Sequence, residues 1–98
     1  MAFALTWAPA ARMDFWELLS YIADSDPIAA REFGRRLLEA VARLRDFPES
    51  GRMVPEFNDP TIREVIRTPC RIVYRLKREE HRVEVARIWH AARGIPEL

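Results

Sequence analysis

The residues able to do chemistry gather in the last third of the chain. Arg71, Arg75 and Lys77 follow one another closely, and His90 and Arg93 close the final stretch. A guanidinium group grips a phosphate or carboxylate through paired, planar hydrogen bonds, but its pKa above about 12 makes it a poor proton carrier. Such a set is suited to holding an anionic partner, with Arg71, Arg75, Lys77, Arg93 and the neighbouring Trp89 as candidate binding residues. Histidine is the one residue type in that set whose ordinary pKa, about 6.5, lies near neutrality, which makes His90 the candidate acid or base for any proton transfer. A lone histidine ending a strand is more often packed or solvated, and that reading is preferred.

Other reactive groups have structural readings. Cys70 is the single cysteine, so no internal disulfide can form; it reads as a small buried hydrophobe in a reducing, cytoplasmic setting. Tyr74 alternates with Ile72 and Leu76 and reads as core, its hydroxyl reaching an edge. Glu64 lies between Arg63 and Arg67 and reads as an ion-pair partner. Ser50-Gly51-Arg52 reads as a tight turn, because a phosphate-binding loop would lead into a helix and here a loop follows.

These residues need a scaffold, and 98 residues allow one core, so a single domain over residues 1–98 is expected. With 49% hydrophobic and 32% charged residues the chain is a folded globule, with no cofactor or metal expected. No stretch approaches the ~20 apolar residues of a membrane helix, and the first residues lack a secretory pattern. The net charge of +1 hides an asymmetry: residues 1–60 carry net −3 and residues 61–98 net +4. Of the sixteen basic residues only Lys77 is a lysine, which tilts the basic half toward specific contacts.

Phe3, Leu5 and Trp7 alternate with small or polar residues and predict a strand. Pro9 then opens a helix to Ala23, with Met13, Trp16, Leu19 and Ile22 as its inner stripe and Leu18 and Tyr21 beside them. Asp26-Pro27 restarts the chain into a second helix, whose inner stripe is Ala30, Phe33, Leu37, Val41 and Leu44. A loop runs from Phe47 to Pro60. Strands follow over Ile62–Arg67, Cys70–Arg78 and Arg82–His90. Helices grouped together and strands grouped together predict an α+β domain, with an antiparallel helical hairpin on one face of a mainly antiparallel sheet. The other face is then free for function, and alternation places Arg71, Arg75 and Lys77 in a row upon it.

In this order, Tyr21-Ile22-Ala23, Asp26-Pro27, Phe47-Pro48-Glu49-Ser50-Gly51-Arg52, Pro55-Glu56, Arg63-Glu64, Arg71-Ile72-Val73-Tyr74-Arg75 and Ile88-Trp89-His90 with Arg93 give the chain a resemblance to the RelE/ParE family of bacterial toxins. The resemblance implies a toxin silenced by a co-expressed antitoxin, itself carrying a DNA-binding N-terminal part, in a hetero-oligomer. RelE-like members cleave messenger RNA on the ribosome, whereas ParE-like members poison DNA gyrase. Arg71 and Arg93 fall where the two arginines of the RelE-like site are expected, but its lysine positions appear as Ile62 and Glu64, and the tail from Gly94 to Leu98 lacks an aromatic residue. Proton transfer is thus poorly provided for, and the ParE-like branch is expected. The alternative is a ribosome-dependent ribonuclease with Arg71, His90 and Arg93 as its reduced site; a plain nucleic-acid-binding module using Arg71, Arg75 and Lys77 stands third.

Overall fold

Leu5 and Trp7 turn inward while Ala4 and Thr6 face solvent, and in the computed structural model, which describes residues 2–98, they form strand β1 (Ala4–Trp7). Pro9 occupies the first turn of helix α1 (Pro9–Ser25), and Pro27 does the same for α2 (Pro27–Arg43). Between them the Asp26 side chain accepts a hydrogen bond from the Ala29 backbone N–H at 3.0 Å, capping α2. Four strands complete the fold: β2 (Arg52–Met53), β3 (Ile62–Arg67), β4 (Cys70–Lys77) and β5 (Arg82–His90). The short edge strand β2 was not foreseen in the sequence.

The sheet runs in the order β1-β5-β4-β3-β2. Strands β2 to β5 pair antiparallel, while β1 lies parallel to β5, with Ala4 opposite Arg82 and Trp7 opposite Val85. The register of β4 and β5 shifts between Val73 and Tyr74, so that Ala86 is skipped. This bulge explains why the inward apolar residues of β5 are Val83, Val85 and Ile88 rather than a strict alternation.

Both helices cover one face of the sheet. Phe33, Leu37 and Val41 of α2 pack on Ile72, Val85 and Ile88, and a second cluster joins Leu44 to Tyr74, Leu76 and Val83. The predicted stripe of α2 is therefore the observed one. That of α1 is not. Met13, Trp16 and Tyr21 are 55%, 67% and 77% exposed, and the inner side is Ala11, Phe15, Leu18, Leu19 and Ile22.

The α1 side also carries a charge inward. Strand β1 ends opposite Val85, leaving the last residues of β5 without a strand on that side. Asp14 of α1 fills the gap: its carboxylate accepts from the Ile88 N–H at 3.0 Å and takes two bonds of 2.8 Å from Arg87. A backbone donor that the sheet leaves unpaired is thereby satisfied by the helix.

Candidate functional site

The sheet face away from the helices is partly roofed rather than open. The loop after β2 crosses it, and Val54 packs with Val73 and Trp89, with Phe57 and Ile62 at the margin. Just before β2, Gly51 brings the chain tight against the sheet: a Cβ there would stand 2.6 Å from the Tyr74 hydroxyl and 2.7 Å from the Glu64 carbonyl oxygen. Tyr74 is fully buried, its hydroxyl donating to the Pro48 carbonyl at 2.8 Å and accepting from the Gly51 N–H at 3.0 Å. Burial pushes that phenol up from its ordinary pKa, and its place in the core is the one alternation predicted.

Under the roof lies a network of four charges. Glu64 is 1% exposed and stands between two arginines, accepting from Arg71 Nε through one oxygen and from Arg52 Nε at 2.8 Å through the other. Its partners are thus Arg52 and Arg71, across the sheet, and not Arg63 or Arg67 beside it in sequence. Arg71 is itself 8% exposed, contrary to its expected position in an open row. It donates from Nη1 and Nη2 to the two oxygens of Glu56 at 3.0 and 2.7 Å, and from Nη1 to the Gly94 carbonyl at 3.3 Å. Four of the five N–H donors of Arg71 are therefore engaged. The hydrogen bonds from Arg71 hold the Glu56 carboxyl down at about 2, and Glu56 in turn raises Arg71. Glu56 and Arg52 are the site residues that sequence reasoning missed; only their places in the stretches that carry the family resemblance marked them.

The remaining candidates are dispersed around this centre. Arg75 and Lys77 are partly exposed and share Glu84 of β5, at 3.3 and 3.7 Å, so the expected basic row is largely neutralised. Trp89 is 1% exposed and offers no contact surface; the guanidinium groups of Arg87 and Arg93 lie 4.8 and 3.9 Å from its ring centre. Its indole N–H donates to the same Gly94 carbonyl that Arg71 uses. Arg93 is exposed, in the single 3-10 turn Ala91–Arg93, and no ion pair engages it among the described residues. His90 is exposed, and its Nδ1 accepts from the Ala92 N–H at 3.1 Å, capping that turn. This fixes Nδ1 as an acceptor and leaves Nε2 free to meet another group.

Two cavities open beside candidate residues. One, of about 290 Å³, opens beside Arg71 and Glu56. The other, of about 230 Å³, lies around His90 and Arg93 and is lined by Asp14 and Cys70. The Cys70 thiol is buried, and burial, with Asp14 adding to it, pushes its pKa up, so it is no nucleophile. Taken together, the arginine at the centre of this face already has partners, and both carboxylates that reach Arg71 are tied up in ion pairs.

Residues 5–95 match the family model described as ParE toxin of type II toxin-antitoxin system, parDE. Two curated proteins of Caulobacter vibrioides are similar over almost their whole lengths. Toxin RelE2 is 32% identical over 91% of this chain and 96% of its own, and Toxin RelE1 is 34% identical over 92% and 95%. Among solved structures, a chain of the chromosomal ParDE TA system from P. aeruginosa superposes with a TM-score of 0.73 at 21% identity, covering 91% of this chain and 96% of that one. A chain of the toxin-antitoxin complex RelBE2 from Mycobacterium tuberculosis gives 0.66 at 18%, covering 92% and 99%. At these identities the structural likeness concerns the fold, two helices on a five-stranded sheet.

Proposed function

The chain belongs to the ParE toxin family of type II toxin-antitoxin systems, and from that premise we propose that it acts by binding DNA gyrase directly and is held silent by a cognate antitoxin. The observation that carries this reading is the state of Arg71. Cleavage of RNA through its 2′-hydroxyl needs a proton acceptor, positive charge around the phosphate and a proton donor for the leaving oxygen. Arg71 supports no such step while Glu56, Glu64 and the Gly94 carbonyl occupy it. Where the RelE-like pattern has lysines, this chain has Ile62 and a Glu64 buried in ion pairs. An inhibitor that works by surface contact needs none of these groups, only a rigid body and a partner-facing surface, and the exposed Met13, Trp16 and Tyr21 of α1 supply apolar area for one.

Purified protein is expected to block supercoiling by gyrase while a cell-free translation reaction continues. Arrested translation with cut message, and untouched supercoiling, overturns the reading.

One observation favours the ribonuclease alternative: His90 is exposed, with its Nδ1 held by the Ala92 N–H and its Nε2 left to meet a substrate. Replacing His90 by Ala separates the two. Under the gyrase reading toxicity survives with folding intact; under the ribonuclease reading toxicity is lost while folding survives.

A further inference from the structure

The two carboxylates on Arg71 are not equivalent. Glu64 sits on β3 with its side chain fully buried and two arginines upon it, whereas Glu56 comes from the irregular loop between β2 and β3 with its side chain 29% exposed. Beside the Glu56 contact opens the 290 Å³ cavity, lined by Arg52, Pro55, Ile66, Thr68, Pro69 and Ala91 besides the pair itself. Solvent and solutes thus reach the outer edge of Arg71 on the Glu56 side and not on the Glu64 side.

The charges balance only with Glu56 in place. Arg52 and Arg71 against Glu56 and Glu64 sum to zero; without Glu56 a guanidinium 9% exposed keeps a net positive charge, a costly state away from water. The site therefore demands one negative charge on two oxygens, but nothing requires that charge to come from this chain. We infer that the outer edge of Arg71 is a carboxylate-exchange site, at which Glu56 is a placeholder that an acidic side chain of a bound protein partner replaces. The fork of Arg71 presents two parallel N–H groups, the fit for a planar carboxylate. The walls of the cavity, Pro55, Ile66, Pro69 and Ala91, suit the aliphatic stem of such a side chain; of its other polar lining Arg52 is already committed to Glu64, so the further oxygens of a phosphodiester would find only Thr68. Exchange proceeds by competition and not by protonation, because Glu56 stays ionised throughout the physiological range.

The inference rests on the antitoxin reading only in taking the incoming acid from a protein, and the exchange at Arg71 is tested without any partner. Glu56→Ala removes the placeholder and leaves room for a small acid. The variant is compared with the parent by thermal unfolding in sodium acetate, sodium phosphate and sodium chloride at matched ionic strength and pH. Acetate at ten times its Kd is expected to raise the melting temperature of Glu56→Ala by about 6 °C or more over chloride, from the elevenfold mass-action factor, and to leave the parent unchanged. Should the variant be unfolded in chloride, refolding yield becomes the readout, with recovery in acetate as the expected result. Equal behaviour in acetate and chloride overturns the inference, and rescue by phosphate but not acetate overturns its assignment to a carboxylate. Neither outcome bears on gyrase inhibition, which the supercoiling assay reads separately.

Discussion

Removing the Glu64 carboxylate tests whether the charge network is a buried structural unit or a dressed surface. In Glu64→Ala, Arg71 loses the acceptor for its Nε but keeps Glu56, while Arg52, whose side chain is 62% exposed, is released to water at little cost. A charge-assisted hydrogen bond to a buried group contributes about 1.5 to 3 kcal/mol, an exposed pair at most about 1, and breaking a buried pair by deleting one member costs about 3 to 5. Because Glu56 still compensates Arg71, the lower end applies, and the expected loss is about 3 kcal/mol. For a domain of this size that lowers the melting temperature by roughly 12 to 24 °C. Arg52→Ala, by contrast, leaves Glu64 its inner partner and should cost about 1 kcal/mol. Both are read from urea unfolding followed by far-UV circular dichroism, with the slope against denaturant checked for constancy. A third variant sharpens the test: Glu64→Leu combined with Arg71→Met replaces the pair by apolar groups and should recover most of the loss. If Glu64→Ala costs no more than Arg52→Ala, the carboxylate is solvated and the burial argument fails.

Three further outcomes follow from other contacts. Glu56 titrates at about 2 in the folded chain against an ordinary 4.5, so its pair with Arg71 contributes fully above about 4.5 and is lost as pH falls toward 2; the stability difference between the parent and Glu56→Gln should shrink over that interval, and a constant difference would contradict the pairing. Gly51→Ala forces a methyl against the Tyr74 hydroxyl and the Glu64 carbonyl oxygen, and should cost about 1 to 3 kcal/mol in urea unfolding, with a neutral effect refuting the close approach. Trp16→Ser should change stability by no more than about 0.5 kcal/mol, whereas Leu18→Ala should cost about 2 or more, and the reverse order would restore the stripe first expected for α1.

Helix α2 was legible because its inner residues are all apolar or small and its wet side is mostly charged, Ile28 and Leu38 excepted, so period alone set its phase. Helix α1 was not. Its inner side includes the small Ala11 and the charged Asp14, while three large apolar residues point outward, and periodicity cannot tell an apolar residue meant for the core from one left at the surface. Strands β3 to β5 were read to within a residue, and the spacing of Val83, Val85 and Ile88 already carried the bulge. The site was harder because its bonds are long-range. Nothing local to Arg71 announces that Glu56, fifteen positions earlier, closes over it, and an arginine in an alternating strand looks alike whether water or a loop lies above. His90 as a solvated or packed residue was foreseeable, but its capping of the turn that follows depends on where the backbone bends after β5.

The placement of β1 also bears on how the molecule comes into being. A chain is made from its first residue to its last, and here the first strand has a single neighbour in the sheet, which is the last strand. The helical hairpin can gather its local contacts early, but β1 must wait, unpaired, until β5 has been synthesised, and pairings so distant along the chain form slowly. A nascent polypeptide stopped before residue 82 has no slot for its own beginning. Any potency that depends on the finished sheet therefore arrives only after β5 has been made, which gives an antitoxin already present in the cell time to meet the newborn protein first.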